Sequence, residues 1–398
     1  MIEYHHRTLR TNAIRQMEWG IIKDNTNLPT KRWDPLLTYL DLENEQKLGF
    51  FSYVNPSRGA RYMEYDHRTP PSHDKASCQV LCPIIKGEDP AIPVYTDQEE
   101  YDPFSDVFPI SRNYEHYDAI TIVNKFPVFG RVDVRKSVKN SYLSGVCLVP
   151  LPTQHLEQLE DTPHDILTKL LWNTRDALQY TEKCAQLRGF KQIIPYVFFN
   201  IGEKTGGSLK HLHAQIYLDT TKNPSPQNLG FHTLIRLHVQ ETYYTQYTRC
   251  LVCDLVTKTL DVYLGEKLNL KERIIIENEA WLVLSAYAPA RNGHIRIFPK
   301  KHKARLTDLN NKELAELAKI FRTINSRLNK IGVERDRTTV FFQKPYKCIQ
   351  TLMKAPFHLY IDVLPFNYIG GIELSGDCLK VIELAPETLA GALKEHSK

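Results

Sequence analysis

The chain has 398 residues, 42% of them hydrophobic and only 18 of them glycine, so it is long enough to bury two cores or one large one and too apolar for disorder. Its 51 basic and 46 acidic residues leave a net charge of +5, a weak bias that suits an anionic small molecule better than a nucleic-acid track. The opening run MIEYHHRTLRTNAIRQMEWG lacks the apolar stretch of a signal peptide, and no run of about 18 apolar residues exists to span a membrane, so a cytoplasmic location is expected. Eight cysteines in such a chain argue against a disulfide framework and make metal binding the first thing to test.

Taken in chain order, residues 1–48 read as an N-terminal extension that covers the sheet or forms an interface, since RTNAIRQMEWGIIKDNTNLPTKRW holds no catalytic motif. CQVLC then pairs Cys78 with Cys82. PLPTQH ends in His155, and DTPHDILTKLLWNTRDAL follows with a Thr-Pro helix start and apolar residues at helical spacing. The apolar strand PYVFFN ends at Asn200, and GGSLKHLHAQIYL runs from Gly206 to Leu218. If that run is a strand, a period of two puts His211, His213 and Gln215 on one face. TTKNPSPQN breaks the pattern after Leu218.

The second part repeats the first. CLVC pairs Cys250 with Cys253 at the C-x2-C spacing that lets two thiolates grip one zinc from a tight turn; the longer CQVLC is the weaker signal. FPKKH ends in His302, TDLNNKELAELAKIFRTINSRL reads as a helix, TTVFFQ as a strand, and HLYIDVLP opens with His358. His155 and His211 are 56 positions apart, and so are His302 and His358. The chain is therefore two copies of one unit. Each copy offers Cys, Cys, His, His in the same order: Cys78, Cys82, His155 and His211, then Cys250, Cys253, His302 and His358. That is the ligand set of a closed structural zinc site, so one or two ions per chain are expected, each stapling a hairpin to a strand end and a core.

The copies differ where chemistry would sit. His213 and Gln215 follow His211, whereas Tyr360 and Asp362 follow His358. The first copy is the candidate active half and His213 its candidate nucleophile; the bland alternative is a hydrogen-bonded strand histidine.

The run FFNIGEKTGGSLKHLHAQ, with VNKFPVFG upstream and YIGGIELSGDCLKVIELAPETLAGAL near the end, resembles the galactose-1-phosphate uridylyltransferase branch of the histidine-triad superfamily over roughly residues 50 to 398. The resemblance implies that His213 attacks the α-phosphorus of a nucleotide sugar to form a covalent nucleotidyl-histidine, which a hexose 1-phosphate then cleaves in ping-pong fashion. Neutral imidazole suits that step near pH 7. Gly206, Gly207 and Ser208 are then expected to bring N–H groups and a hydroxyl to phosphate oxygens, and Gln215 to donate its amide to the phosphoryl oxygen that gains charge. Glutamine cannot act as an acid, which favours transfer to a sugar phosphate over transfer to water. Asn124 and Asn200 match positions that hold the nucleotide, Arg58 and Arg61 an arginine pair near the phosphates, and Glu373 a contact to the hexose hydroxyls.

The expected fold is α+β, with tandem duplicated histidine-triad (HIT-like) units, each a mainly antiparallel sheet with helices. The catalytic half would span 49–232 and the degenerate half 233–398, and family members commonly pair into homodimers. Leu212 stands where the uridylyltransferases usually have proline, and HLHAQ is close to what adenylyl- and guanylyl-transferring relatives show, so base and sugar stay open. The alternatives are a phosphorylase of nucleotide sugars or dinucleoside polyphosphates working through the same histidine, and a zinc-stapled protein without catalysis.

Overall fold

The computed structural model describes residues 78–105, 108–128, 145–225, 229, 233–260, 262, 267–348, 356–367, 382 and 384–395 in full. For residues 17–18, 21–22, 30–41, 46–54, 131–132, 144, 231–232, 263 and 266 it describes the backbone. Of the proposed N-terminal extension, the described part is therefore backbone alone, including most of an antiparallel hairpin whose strands are Thr30–Asp41 and Gln46–Val54.

Ten short strands carry the architecture. The first half supplies Pro93–Tyr95 (β1), Ala119–Val123 (β2), Ser144–Pro152 (β3), Gln192–Ile201 (β4) and Ala214–Thr221 (β5). The second supplies Ile274–Glu277 (β6), Trp281–Ser285 (β7), Ile295–Pro299 (β8), Arg337–Phe342 (β9) and Tyr360–Pro365 (β10). All are rich in Val, Ile and aromatic residues, which fit a pleated and largely buried surface. They form one sheet in the order β6-β7-β8-β10-β9-β4-β5-β3-β2-β1, antiparallel at every step. Read outward from the middle, the order is 4-5-3-2-1 on one side and 9-10-8-7-6 on the other. The sequence repeat is thus a pseudo-two-fold axis through the sheet.

The seam shows how the halves join. Val197 pairs with Phe341 and Phe198 with Val340 across β4 and β9. Phe198, opposite Gln215, and Val340, opposite Asp362, hold equivalent places in the repeat, and the Val197–Phe341 pair on one side of them mirrors the Phe199–Thr339 pair on the other. This is the self-complementary contact of a symmetric dimer, here within one chain.

Among the described residues the α-helices are Leu81–Lys86 (α1), His164–Leu187 (α2), Phe231–Tyr247 (α3), Leu251–Val256 (α4), Leu270–Arg273 (α5), Asn311–Lys330 (α6) and Pro386–Glu395 (α7). The two long ones bury residues at three- and four-residue spacing: Leu167, Leu170, Leu171, Thr174 and Leu178 in α2, and Leu314, Leu317, Phe321, Ile324 and Leu328 in α6. Asn310 starts α6 by accepting the Glu313 N–H while the Glu313 carboxylate accepts the Asn310 N–H. Phe321 meets Phe199 and Phe341 edge-on at 6.3 and 6.1 Å, so one core serves both halves.

Polar clasps cross the halves at equivalent points. The Arg305 guanidinium donates to Glu182 near the end of α2, and Asn329 near the end of α6 donates to Glu160. Glu182 and Asn329 are 147 residues apart, the separation of His155 from His302. Beside them Arg337 is wholly buried, its five N–H groups taken by Glu334 O, Asn325 O and Oδ1, Asn329 Oδ1 and Val333 O. Those carbonyls close the last turn of α6 and the loop after it. Burial lowers the Arg337 pKa to about 10, which leaves it charged at neutral pH. Among the described residues, no helix is long and apolar enough to cross a membrane.

Candidate active site and metal clusters

Both Cys/Cys/His/His sets assemble. Cys78 Sγ and Cys82 Sγ lie 3.4 Å apart and 3.6 and 3.5 Å from His211 Nδ1; His155 Nδ1 is 3.5 Å from Cys82 Sγ and 3.4 Å from His211 Nδ1. In the second set, His358 Nδ1 is 3.6 Å from Cys250 Sγ and 3.5 Å from Cys253 Sγ, and His302 Nδ1 is 3.4 Å from Cys253 Sγ. A tetrahedral ion with Zn–S of about 2.3 Å and Zn–N of about 2.05 Å separates S from N ligands by about 3.6 Å and two N ligands by about 3.3 Å. The donor sets fit that ion. His211 and His358 each donate from Nε2 to a proline carbonyl, Pro152 and Pro299, at 2.9 Å, which leaves the Nδ1 lone pair for the metal. Paired thiols resist ionising together: contact with Cys82, then burial, pushes the Cys78 thiol up, and contact with Cys250 does the same to Cys253. A cation between them removes that conflict.

The cysteines do not sit on hairpin turns as the spacing suggested. Cys82 lies in α1, and Cys250 and Cys253 stand at the start of α4. On a helix, residues three and four apart share a face, so C-x2-C and C-x3-C serve equally well. The sites differ in exposure: Cys78, Cys82 and His211 are buried, whereas His302 is exposed.

The strand expected to place His211, His213 and Gln215 on one face begins only at Ala214. The chain bends at 210–211 and Leu212 N–H bonds to Leu156 O, so His211 turns into the Cys/His cluster while His213 and Gln215 line a separate cleft. His213 is 6% exposed, and its Nδ1 donates to the His211 carbonyl at 2.7 Å, the tautomer that puts the lone pair on Nε2. Candidate metal ligand and candidate nucleophile are therefore linked through one backbone carbonyl. Gln215 Oε1 accepts from the Tyr217 hydroxyl at 2.7 Å, which leaves the amide nitrogen as the donor end.

Ser208, Asn124 and Lys125 line the same cleft, over an apolar floor of Leu81, Ile84, Ile122 and Val149. Asn124 Oδ1 accepts the Phe126 N–H at 2.9 Å, so its amide group is the end left for a ligand. The glycines differ from expectation. Gly206 N–H bonds to Glu203 O and Gly207 N–H to Gly202 O, so neither is an anion donor in this conformation. A side chain on Gly207 would bring a Cβ to 2.6 Å from Gly202 O, so glycine here permits close packing of the turn. Asn200 is half-buried on β4 and accepts from Thr338 of the second half at 3.1 Å. Arg58, Arg61 and Glu373 lie outside the described residues. The roles of Lys125 and Tyr217 were missed from sequence. Lys125 adjoins Asn124 in VNKFP, and Tyr217 lies two along from Gln215, so strand period alone could have flagged it.

In the second half the equivalent place is filled. Tyr360 replaces His213, and its hydroxyl accepts from Arg236 Nε at 2.8 Å. Asp362 replaces Gln215 and takes a two-point bond from Arg296 at 2.7 and 2.9 Å, with His294 Nε2 3.1 Å away. Burial alone would push the Asp362 carboxyl up, but the Arg296 guanidinium overrides it and holds it well below the usual carboxylate range. Burial pushes the Tyr360 phenol up and keeps its proton on. This half has no imidazole at the position equivalent to His213.

Three comparisons bear on this geometry. The HIT domain family model matches residues 267–360, in the half that has Tyr360 where the other has His213. A galactose-1-phosphate uridylyltransferase from Thermotoga maritima is 24% identical over 300 residues, 71% of this chain and 85% of that protein. Among solved structures, an ADP-glucose phosphorylase from Arabidopsis thaliana with bound ADP-glucose superposes with a TM-score of 0.60 at 17% identity, covering 92% of this chain and 98% of that one. A uridylyltransferase structure gives 0.56 at 18% identity, covering 90% and 98%. The chain is thus similar to a galactose-1-phosphate uridylyltransferase over most of its length, carries a HIT domain match in its second half, and shares the fold of a solved uridylyltransferase.

Proposed function

We propose that this chain is a nucleotidylyltransferase that moves a nucleoside monophosphate between a nucleotide sugar and a hexose 1-phosphate, in the manner of its uridylyltransferase relatives. The observation that carries this reading is the Nδ1 bond from His213 to the His211 carbonyl at 2.7 Å, which presents Nε2 as a nucleophile in a cleft shared with Ser208 and Gln215. In the first step the Nε2 lone pair forms a bond to the α-phosphorus and the P–O bond to the sugar phosphate breaks. The ring then carries positive charge, which the His211 carbonyl stabilises through the Nδ1 proton. The Gln215 amide and Ser208 hydroxyl bond the phosphoryl oxygens as they gain charge. In the second step an oxygen of the acceptor phosphate bonds to phosphorus, the P–N bond breaks and neutral imidazole returns. The apolar floor suits a base and Lys125 a phosphate, and Arg58, Arg61, Asn200 and Glu373 are assigned to the phosphates, nucleotide and hexose on the family pattern. Zinc in the two donor sets would fix the ends that carry His211 and His358, with no part in bond breaking.

Phosphorolysis is the second reading, since the ADP-glucose phosphorylase likeness spans 92% of the chain. Radiolabelled UDP-glucose, ADP-glucose and GDP-glucose, each offered with galactose 1-phosphate or inorganic phosphate, distinguish the two. Mass spectrometry should find one acid-labile nucleotidyl group on the peptide containing HLHAQIYL. His213→Gly should abolish it, and added imidazole should restore part of the turnover by filling the vacated space. An adduct on another residue, or full turnover by His213→Gly without imidazole, would sink the mechanism. The proposed assembly is a homodimer, read by light scattering.

A further inference from the structure

The loop that carries Ser208 into the cleft belongs to the first half and is closed by its own turn bonds, yet it is also fastened to the second half. Lys204 N–H donates to Asp336 Oδ2 at 2.8 Å, and the Lys204 ammonium meets Glu334. Gly202 sits at φ +88°, and a Cβ placed there would lie 2.1 Å from the Asp336 Cγ. The carboxylate thus occupies the space that any side chain at Gly202 would need. Asp336 is itself set by two backbone bonds, its N–H reaching Glu334 Oε1 at 3.3 Å and its carbonyl accepting Phe366 N–H at 2.8 Å. One residue beyond, β9 begins, and Thr338 donates to Asn200 Oδ1 at 3.1 Å. The segment 334–338 therefore grips the active half at both ends of one stretch: Asn200 at the end of β4 and the turn Gly202–Lys204 after it.

We infer that Asp336 is a positioning residue for the transfer reaction, acting through the 202–208 loop to hold Ser208 beside His213, and that Thr338 does the same for the Asn200 amide. The half without a nucleophile is in this account the rigid support of the active loop. Positioning matters here because the Ser208 hydroxyl must meet the phosphoryl oxygens as His213 bonds to phosphorus, and a short flexible turn alone would not fix it there. Asp336 touches neither cleft nor substrate. The inference rests on the transfer reading for its kinetic consequence and on the contacts alone for its structural one.

The test uses the full chain. Asp336→Ala should slow formation of the nucleotidyl-His213 adduct by about ten- to a hundredfold, chiefly in kcat, with the thermal midpoint little changed because the contact lies in a surface loop. Asp336→Asn keeps an acceptor for Lys204 N–H and should recover most of the rate. Thr338→Val should act instead on KM for the nucleotide sugar. Hydrogen exchange supplies a readout that needs no turnover: Asp336→Ala should speed exchange across 203–208, and Asp336→Asn should restore protection. Unchanged adduct formation and unchanged exchange in Asp336→Ala would overturn the inference, as would equal losses in the Ala and Asn variants. Wild-type protein that forms no adduct would count against the transfer reading, and the exchange data would then decide the positioning role alone.

Discussion

A glutamine amide has a donor end and an acceptor end, and which one faces the cleft decides whether Gln215 can stabilise charge on phosphorus. The Tyr217 hydroxyl makes that choice by donating to Oε1. Tyr217 is also held in place by edge-on contact with Phe198, centroids 4.9 Å apart. Tyr217→Phe keeps the ring and removes the donor, so it should lower the rate of adduct formation by about tenfold, the worth of one hydrogen bond next to developing charge. If Tyr217 acts through Gln215, the same change in a Gln215→Ala background should cost almost nothing further. Additive losses in that cycle would show that Tyr217 works by another route. Lysine at 125 was the other residue whose meaning needed the cleft to be seen, since a lysine beside an asparagine in a sequence is ordinarily a solvated surface charge.

At the scale of elements, a metal ion in each donor set would tie the short helices α1 and α4 to their strand ends, and the two sets differ in solvent access. His302 is exposed while three of the four first-site donors are buried. A chelator should therefore strip the second site first, lowering the thermal midpoint while leaving adduct formation at His213 largely intact. Loss of the first ion should remove both, because His211 holds Nδ1 of His213 through its carbonyl. Metal analysis against residual activity during chelation reads the order, and activity lost with the first ion released would reverse it. Cys250→Ser should likewise cost stability more than chemistry.

The clasp between α2 and the loop after β8 has its own signature. Burial pushes the Glu182 carboxyl up to about 7, with Asp308 adding to the shift and Arg305 opposing it. A raised folded-state pKa means that the native state binds the proton more tightly, so this contribution is present in full below about pH 4.5 and is lost as pH rises through about 7. The loss is at most about 3 kcal/mol. Glu182→Gln, which mimics the neutral acid, should match wild type in urea unfolding at pH 5 and gain on it at pH 8. A wild-type advantage that grows with pH would show that Arg305 outweighs burial.

Among the described residues the two halves share one ten-stranded sheet and, for the most part, one core, although the sequence is two units. Strands β4 and β9 close the gap between the halves, and Phe321 of the second half packs on Phe199 of the first. Unfolding should consequently be a single cooperative transition in calorimetry, with no stable half left behind. Phe199→Ala, which empties a fully buried site at the seam, should lower stability by about 3–5 kcal/mol without splitting that transition. Two separate heat-absorption peaks would mean that the halves are energetically independent despite the shared sheet.

The duplication, both metal donor sets, the long helices and the identity of the half with the extra histidine were legible in the chain, because each is written as residue type and spacing. Hydrophobic period survives in sequence, and Cys and His ligands keep their order whatever turn or helix presents them. What tertiary structure decided is which groups face one another. The period of two could not show that the backbone bends before Ala214 and sends His211 and His213 to different neighbours. Nor could a Gly-Gly-Ser run show that its own carbonyls take the glycine N–H groups. Arg236 and Arg296 around Tyr360 and Asp362, and Asp336 beneath Gly202, are contacts between segments far apart in the chain, set by strand pairing and helix packing, the last of them at the seam. Residue spacing encodes the strands; the meeting of β4 with β9 brings their side chains together.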